Sequence, residues 1–174
     1  MELREVKQRF FALRNGLLAD MLRKQCAAPH KLIFGLNIPQ LREIAAEAGT
    51  DPALGRELWA DADCRESRLL APMVMEPDAA AFGLMREVRT PEEADILCHR
   101  LLRRCPDAVA EAEATLTDAD PMVRYCGLRL LLNLLPEARE AARRAADTVP
   151  FHPLTDGPVR QIRSQLADEE DNLL

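Results

Sequence analysis

The chain has 174 residues, which suits one domain with a hydrophobic core and is short for two. Hydrophobic residues make up 48% and charged residues 30%, a balance that excludes long disordered stretches, while aromatics are only 4%, so the core must be mostly Leu, Ala, Ile, Val and Met. The net charge of -6, part of it in the run Asp168, Glu169, Glu170, Asp171, gives no global attraction for a polyanion.

Such a composition favours helices over sheets, and the fold class expected is all-α. The five cysteines, Cys26, Cys64, Cys98, Cys105 and Cys126, are odd in number and contain no C-x-x-C pair. Neither a disulfide framework nor a zinc site is suggested, and they are read as small apolar core residues. No cofactor or metal is expected, because His30, His99 and His152 are scattered and no phosphate-cradling Gly-rich loop is evident. Met1 to Gln8 is already charged and helical in pattern, and no apolar run approaches the roughly 18 residues of a membrane span. A soluble cytoplasmic protein is the expectation.

In chain order, Leu3, Val6, Phe10, Leu13, Leu17 and Met21 lie near helical spacing and predict a helix over 2–26, with Asn15 and Gly16 as its weak point. Residues 27–39 carry Pro29, Gly35 and Pro39 and must be an extended connection. Asn37 can cap a helix that starts at Ile38 or Pro39 and ends at Gly49. The next helix opens at Asp51-Pro52 and ends with Trp59, itself read as a core residue.

Beyond Trp59 the chain repeats. Pro77-Asp78-Ala79 recurs as Pro106-Asp107-Ala108 and as Pro136-Glu137-Ala138, spaced by 29 and 30 residues, each opening a second apolar helix after a first. Proline in a first helical turn loses no hydrogen bond, and acidic residues there suit the helix dipole. Thr90-Pro91 with Glu93 forms a candidate capping box, and Asp120-Pro121 repeats the device. Helix pairs are expected over 39–60, 64–87, 91–116 and 121–146, with a last helix from Pro158 to Asp168. A period of this size predicts a single domain, 1–174, built as a helical-repeat solenoid.

The period also places Glu66, Asp95 and Arg124 at intervals of 29 residues, each early in the first helix of its pair. In a stacked array they would line one groove, with His99 one turn from Asp95. Asp95 borders the apolar strip of Ala94, Cys98, Leu101 and Leu102, and polar groups placed so need partners. Two readings stand at this point: an inter-repeat ion pair that fixes stacking, or a chemical site.

The stretches G-L-N-I-P-Q-L-R-E-I-A (Gly35 to Ala45), E-L-W (Glu57 to Trp59) and R-E-S-R-L-L-A (Arg65 to Ala71) resemble the opening of the AlkD-like DNA alkylation repair family. The resemblance covers about residues 30 to 135. It implies a right-handed solenoid of HEAT-like antiparallel helix pairs and a metal-independent DNA glycosylase that excises alkylated purines from duplex DNA. It further implies that an Asp and an Arg on successive repeats face the DNA, falling here on Asp95 in E-E-A-D-I-L and Arg124 in P-M-V-R-Y. Asp95 would stabilise positive charge that develops as the glycosidic bond breaks, and Arg124 would hold a phosphate. Arg100, Arg103, Arg104, Arg160 and Arg163 are further candidate phosphate contacts, with Glu66 and His99 lining the groove. The family packs tryptophans along the sugar, whereas this chain has Pro91 four residues before Asp95 and Gln161, Arg163 and Gln165 on its last helix. The alternative function is a noncatalytic scaffold that binds a protein or peptide.

Overall fold

Several helices begin where a capping side chain precedes a proline. In the computed structural model, which describes residues 1–25 and 29–171, the Asn37 side chain accepts from Gln40 N and starts α3, Ile38–Ala48, with Gly49 closing it. Asp51 accepts from Ala53 N and Leu54 N and starts α4, Pro52–Ala60. Before them lie α1, Leu3–Ala12, and α2, Gly16–Gln25, so the first apolar segment breaks at residues 13–15, where the sequence is weakest. The expected core position of Cys26 lies outside the described residues.

The chain falls into two compact units, Met1–Glu76 and Pro77–Leu174. The first unit ends with α5, Arg65–Val74, which packs against α3 and α4. Val6, Phe10, Leu36, Leu41, Ile44, Leu58, Leu69 and Leu70 are fully enclosed there, and the Phe10 ring lies 5.7 Å from that of Phe34. Trp59 is buried as expected, under the Arg68 guanidinium at 3.4 Å from the ring centre. Residues 29–37 form no helix, and Leu32 makes an isolated bridge to Cys64; no β-sheet occurs among the described residues.

The second unit opens with a 3₁₀ segment, Ala79–Glu87, where an α-helix is expected. Asp78 caps it as the repeat predicts, but only Ala81 and Met85 are buried. Helices take most of their stability from a packed face, and this one has little. Next come α6, Pro91–Arg100, a short 3₁₀ turn, Leu102–Arg104, and α7, Ala108–Thr115. The Thr90 hydroxyl accepts from Glu93 N, but the Glu93 carboxylate accepts from Arg89 N, so only half of the expected capping box forms.

The Asp120-Pro121 device starts α8, Pro121–Asn133, followed by α9, Arg139–Thr148, and α10, Pro153–Asp171. The last helix begins five residues earlier than expected, and Pro158 lies inside it. His152 supplies the start: its Nδ1 accepts from Leu154 N, and its carbonyl accepts from Thr155 N and the Thr155 hydroxyl. The unit is all-α. Helix α8 packs against α6 on one side and α10 on the other, with α7 against α8 and α9 against α10. Within this unit the first helices of the pairs expected over 91–116 and 121–146, α6 and α8, are thus neighbours.

Candidate functional site

Helix α8 is apolar on almost every side because it is surrounded, and Val123, Cys126, Leu128, Leu130 and Leu131 are all buried. Its one polar stripe is Tyr125, Arg129 and Asn133, spaced by four residues and therefore on one face. Asp95 on α6 meets this stripe. The Tyr125 hydroxyl donates to Asp95 Oδ1 at 3.0 Å, and Arg129 Nε lies 2.7 Å from the same oxygen. The Arg129 Nε–H is not aimed at an acceptor, so this contact is a charge pair more than a directed hydrogen bond. Arg129 Nη1 donates to Gln161 Oε1 on α10 at 3.0 Å, which carries the row across three helices.

The environment works against the charge on Asp95. Burial raises its pKa above the ordinary carboxylate value, and the Arg129 charge and Tyr125 hydrogen bond offset only part of that. The Tyr125 hydroxyl is pushed up by burial and then by the Asp95 charge, so it remains a donor at neutral pH. The Asp95 side chain nevertheless keeps 39% of its exposure, against 23% for Arg129. One turn along α6, His99 is held below its usual value, first by burial and then by the Arg103 charge, with Arg100 and Arg129 adding to it. Asn133, across on α8, opposes that shift. Beneath the face, Cys98 Sγ donates to the Cys126 carbonyl at 3.3 Å; bonding to Cys126 and burial raise the thiol well above its ordinary pKa, leaving it inert.

The arginine that reaches Asp95 is therefore Arg129, and the expected pairing of Arg124 with Asp95 is not formed. Arg124 turns back on its own helix start, where Nη1 donates to the carbonyls of Asp118 and Ala119. One residue along an α-helix rotates the side chain by about 100°, which separates Arg124 from Tyr125. Glu66 also departs from its groove-lining role. It has no exposure, and its carboxylate accepts from the backbone N–H groups of Phe34, Gly35 and Leu36 and from Arg65 Nη1 at 2.9 Å. It anchors the 29–37 connection within the first unit.

The remaining candidates divide. His99 and Arg100 are half-buried at the end of α6, and Arg103 and Arg104 are exposed in the turn that follows. Arg160 is exposed and paired with Asp156 at 3.0 Å, and Arg163 Nη2 donates to the Ala146 carbonyl at 2.6 Å. Both α10 arginines are thus engaged by their own surroundings. Sequence reasoning missed Tyr125, Gln161 and the role of Arg129, although the four-residue spacing of Tyr125, Arg129 and Asn133 in an apolar helix was visible.

Among the described residues no group of three or more His, Cys, Asp and Glu side chains is placed to hold a metal ion, and no helix is long and apolar enough to cross a membrane. Compared with known protein families, with curated proteins and with solved structures, the chain matches none.

Proposed function

We propose that this chain is a right-handed, HEAT-like helical-repeat protein of the AlkD-like DNA alkylation repair type. In this reading it binds duplex DNA on the face made by α6, α8 and α10. The observation that carries the reading is the half-exposed Asp95 carboxylate, held between the Tyr125 hydroxyl and Arg129 on a neighbouring first helix. That arrangement supplies an oriented carboxylate beside a guanidinium, as the resemblance requires, with Arg129 in place of Arg124. Arg129 would turn to a phosphate as DNA arrives, and freeing Asp95 would let it stabilise positive charge on the sugar of an alkylated purine as the N-glycosidic bond breaks. The base leaves with the bonding electron pair, which neutralises its cationic ring, and water adds to the sugar carbon and gives its proton to solvent.

The test is release of methylated base from duplex DNA by the full chain, compared with Asp95→Asn and Arg129→Ala. The proposal expects release that both substitutions reduce by roughly a hundredfold, the scale of one lost electrostatic contact to a transition state. Release that is indifferent to Asp95→Asn would remove that residue from the mechanism, and no release together with salt-independent DNA binding would end the DNA reading.

A second reading, a noncatalytic scaffold for a protein or peptide, is favoured by the charge distribution. Met1–Glu76 has equal numbers of acidic and basic residues, so the whole net charge of -6 belongs to Pro77–Leu174, and Arg160 and Arg163 are already paired there. Pro91 at the start of α6 and the residues Gln161, Arg163 and Gln165 on α10 also leave the face without the expected tryptophans. Binding to duplex DNA that falls steeply with salt would decide against the scaffold.

A further inference from the structure

Asp95 is held by two groups of different kind. The Tyr125 hydroxyl and Arg129 Nε both lie against Oδ1, at 3.0 Å and 2.7 Å, and no hydrogen bond or ion pair engages Oδ2 among the described residues. The Tyr125 ring is buried, so packing fixes its hydroxyl in place. Arg129 is held more loosely. Its long side chain keeps contact with solvent, and its second anchor, Gln161 Oε1 on α10, belongs to an exposed side chain. A guanidinium in such a setting gains little from its partners and exchanges them readily for another anion.

The consequence lies with the carboxylate that stays behind. A half-buried carboxylate that loses its guanidinium takes up a proton or turns away more easily, because burial already opposes its charge and Glu92, one turn back on α6, adds to that. A fixed donor works against both outcomes by bonding the charged form in one orientation. Tyr125 can serve throughout, since burial and the Asp95 charge push its hydroxyl up and keep it protonated.

We infer that Tyr125 is the positioning residue of this site: its hydroxyl holds Oδ1 after Arg129 has turned to a phosphate, and leaves Oδ2 as the oxygen that meets the charge developing on the alkylated nucleotide. This role rests on the base-excision reading above and divides the work of the two groups. Arg129 is the releasable partner, exchanged for DNA, and Tyr125 is the permanent one.

The test is single-turnover release of methylated base from duplex DNA, followed across pH, by the full chain, Tyr125→Phe, Asp95→Asn and the double variant. Phenylalanine keeps the buried ring and removes only the hydroxyl. The rate constant of Tyr125→Phe should fall about ten- to a hundredfold, the scale of one hydrogen bond to a charged group, with DNA affinity unchanged. The acid limb of its pH profile should move to higher pH, because the lost donor favoured the charged carboxylate. Adding Tyr125→Phe to Asp95→Asn should cause no further loss, since the hydroxyl acts through Asp95. A rate unaffected by Tyr125→Phe, an acid limb that stays in place, or an equal loss in the Asp95→Asn background would overturn the role of Tyr125 and leave Asp95 in the mechanism. No release by the parent, or release indifferent to Asp95→Asn, fails the base-excision reading itself, and the role of Tyr125 with it.

Discussion

Arg129 Nε sits 2.7 Å from Asp95 Oδ1, joining α8 to α6 across 34 residues of sequence, while Tyr125, one turn earlier on α8, donates to the same oxygen. Two side chains of one helix thus grip a single carboxylate of its neighbour. Both charged partners keep contact with solvent, so the pair fixes the register of the two helices more than it stabilises them.

A double-mutant cycle with Asp95→Asn and Arg129→Gln measures that balance. The coupling energy from urea denaturation should be below about 1 kcal/mol, the range of exposed ion pairs. A coupling of roughly 3 kcal/mol or more would show that the pair behaves as a buried one.

Glu66→Gln should be far more costly. The substitution takes the negative charge away from the nearly enclosed Arg65 guanidinium and weakens the acceptor shared by Phe34 N, Gly35 N and Leu36 N. Breaking a buried pair by removing one partner costs about 3–5 kcal/mol. Fluorescence of Trp59, the one tryptophan in the sequence and a member of the same unit, reports the urea midpoint. A loss under about 1 kcal/mol would contradict this account of Glu66.

At Gly127 two effects of opposite sign compete. Alanine in a helix interior gains up to about 1 kcal/mol over glycine. Here, however, a Cβ would strike the Thr115 hydroxyl and lie 2.8 Å from the Ala112 carbonyl, where α8 passes close to α7. The backbone carbonyl cannot swing aside, so overpacking of about 1–3 kcal/mol should prevail. A Gly127→Ala chain that melts higher than the parent would show that α7 gives way.

The pH dependence of stability carries a mark of His99. Its folded-state pKa is held below the ordinary histidine value by burial and by Arg103, so the unfolded chain binds this proton more readily. The contribution is therefore present above the unfolded pKa of about 6.5 and is lost as pH falls through the lower folded value. Asp95 has the opposite sign: its raised pKa gives a contribution that is present below the unfolded value of about 3.9 and is lost as pH rises through the folded one. Melting curves of the parent and of His99→Gln should converge in mild acid and separate toward neutral pH, with the parent the more stable. Parallel curves would mean that His99 titrates as it does in the unfolded chain.

Much of this was legible in the sequence, because helix starts and stops are local. Asn37 with Gln40, Asp51 with Pro52, Asp120 with Pro121 and the closing Gly49 act within one turn of the chain and begin or end helices where they predict. The exceptions are also local but less familiar: His152 starts α10 through its ring and carbonyl, and the segment after Asp78 winds as a 3₁₀ helix for want of a packed face. The half-exposed setting of Asp95 followed from its place beside an apolar strip.

An all-α chain, the caps of α3, α4, α6 and α8, and the spacing of about thirty residues that sets α6 beside α8 could all be read from the sequence, whereas the place of α10 against α8 could not. Which side chains meet depends on packing between helices. The period locates helices to within a turn, but one residue of offset rotates a side chain by about 100°, and a long arginine reaches a partner a full turn away. Thus Arg129 and not Arg124 pairs with Asp95, and Glu66, which fits the same sequence period, is spent on the backbone of residues 34–36.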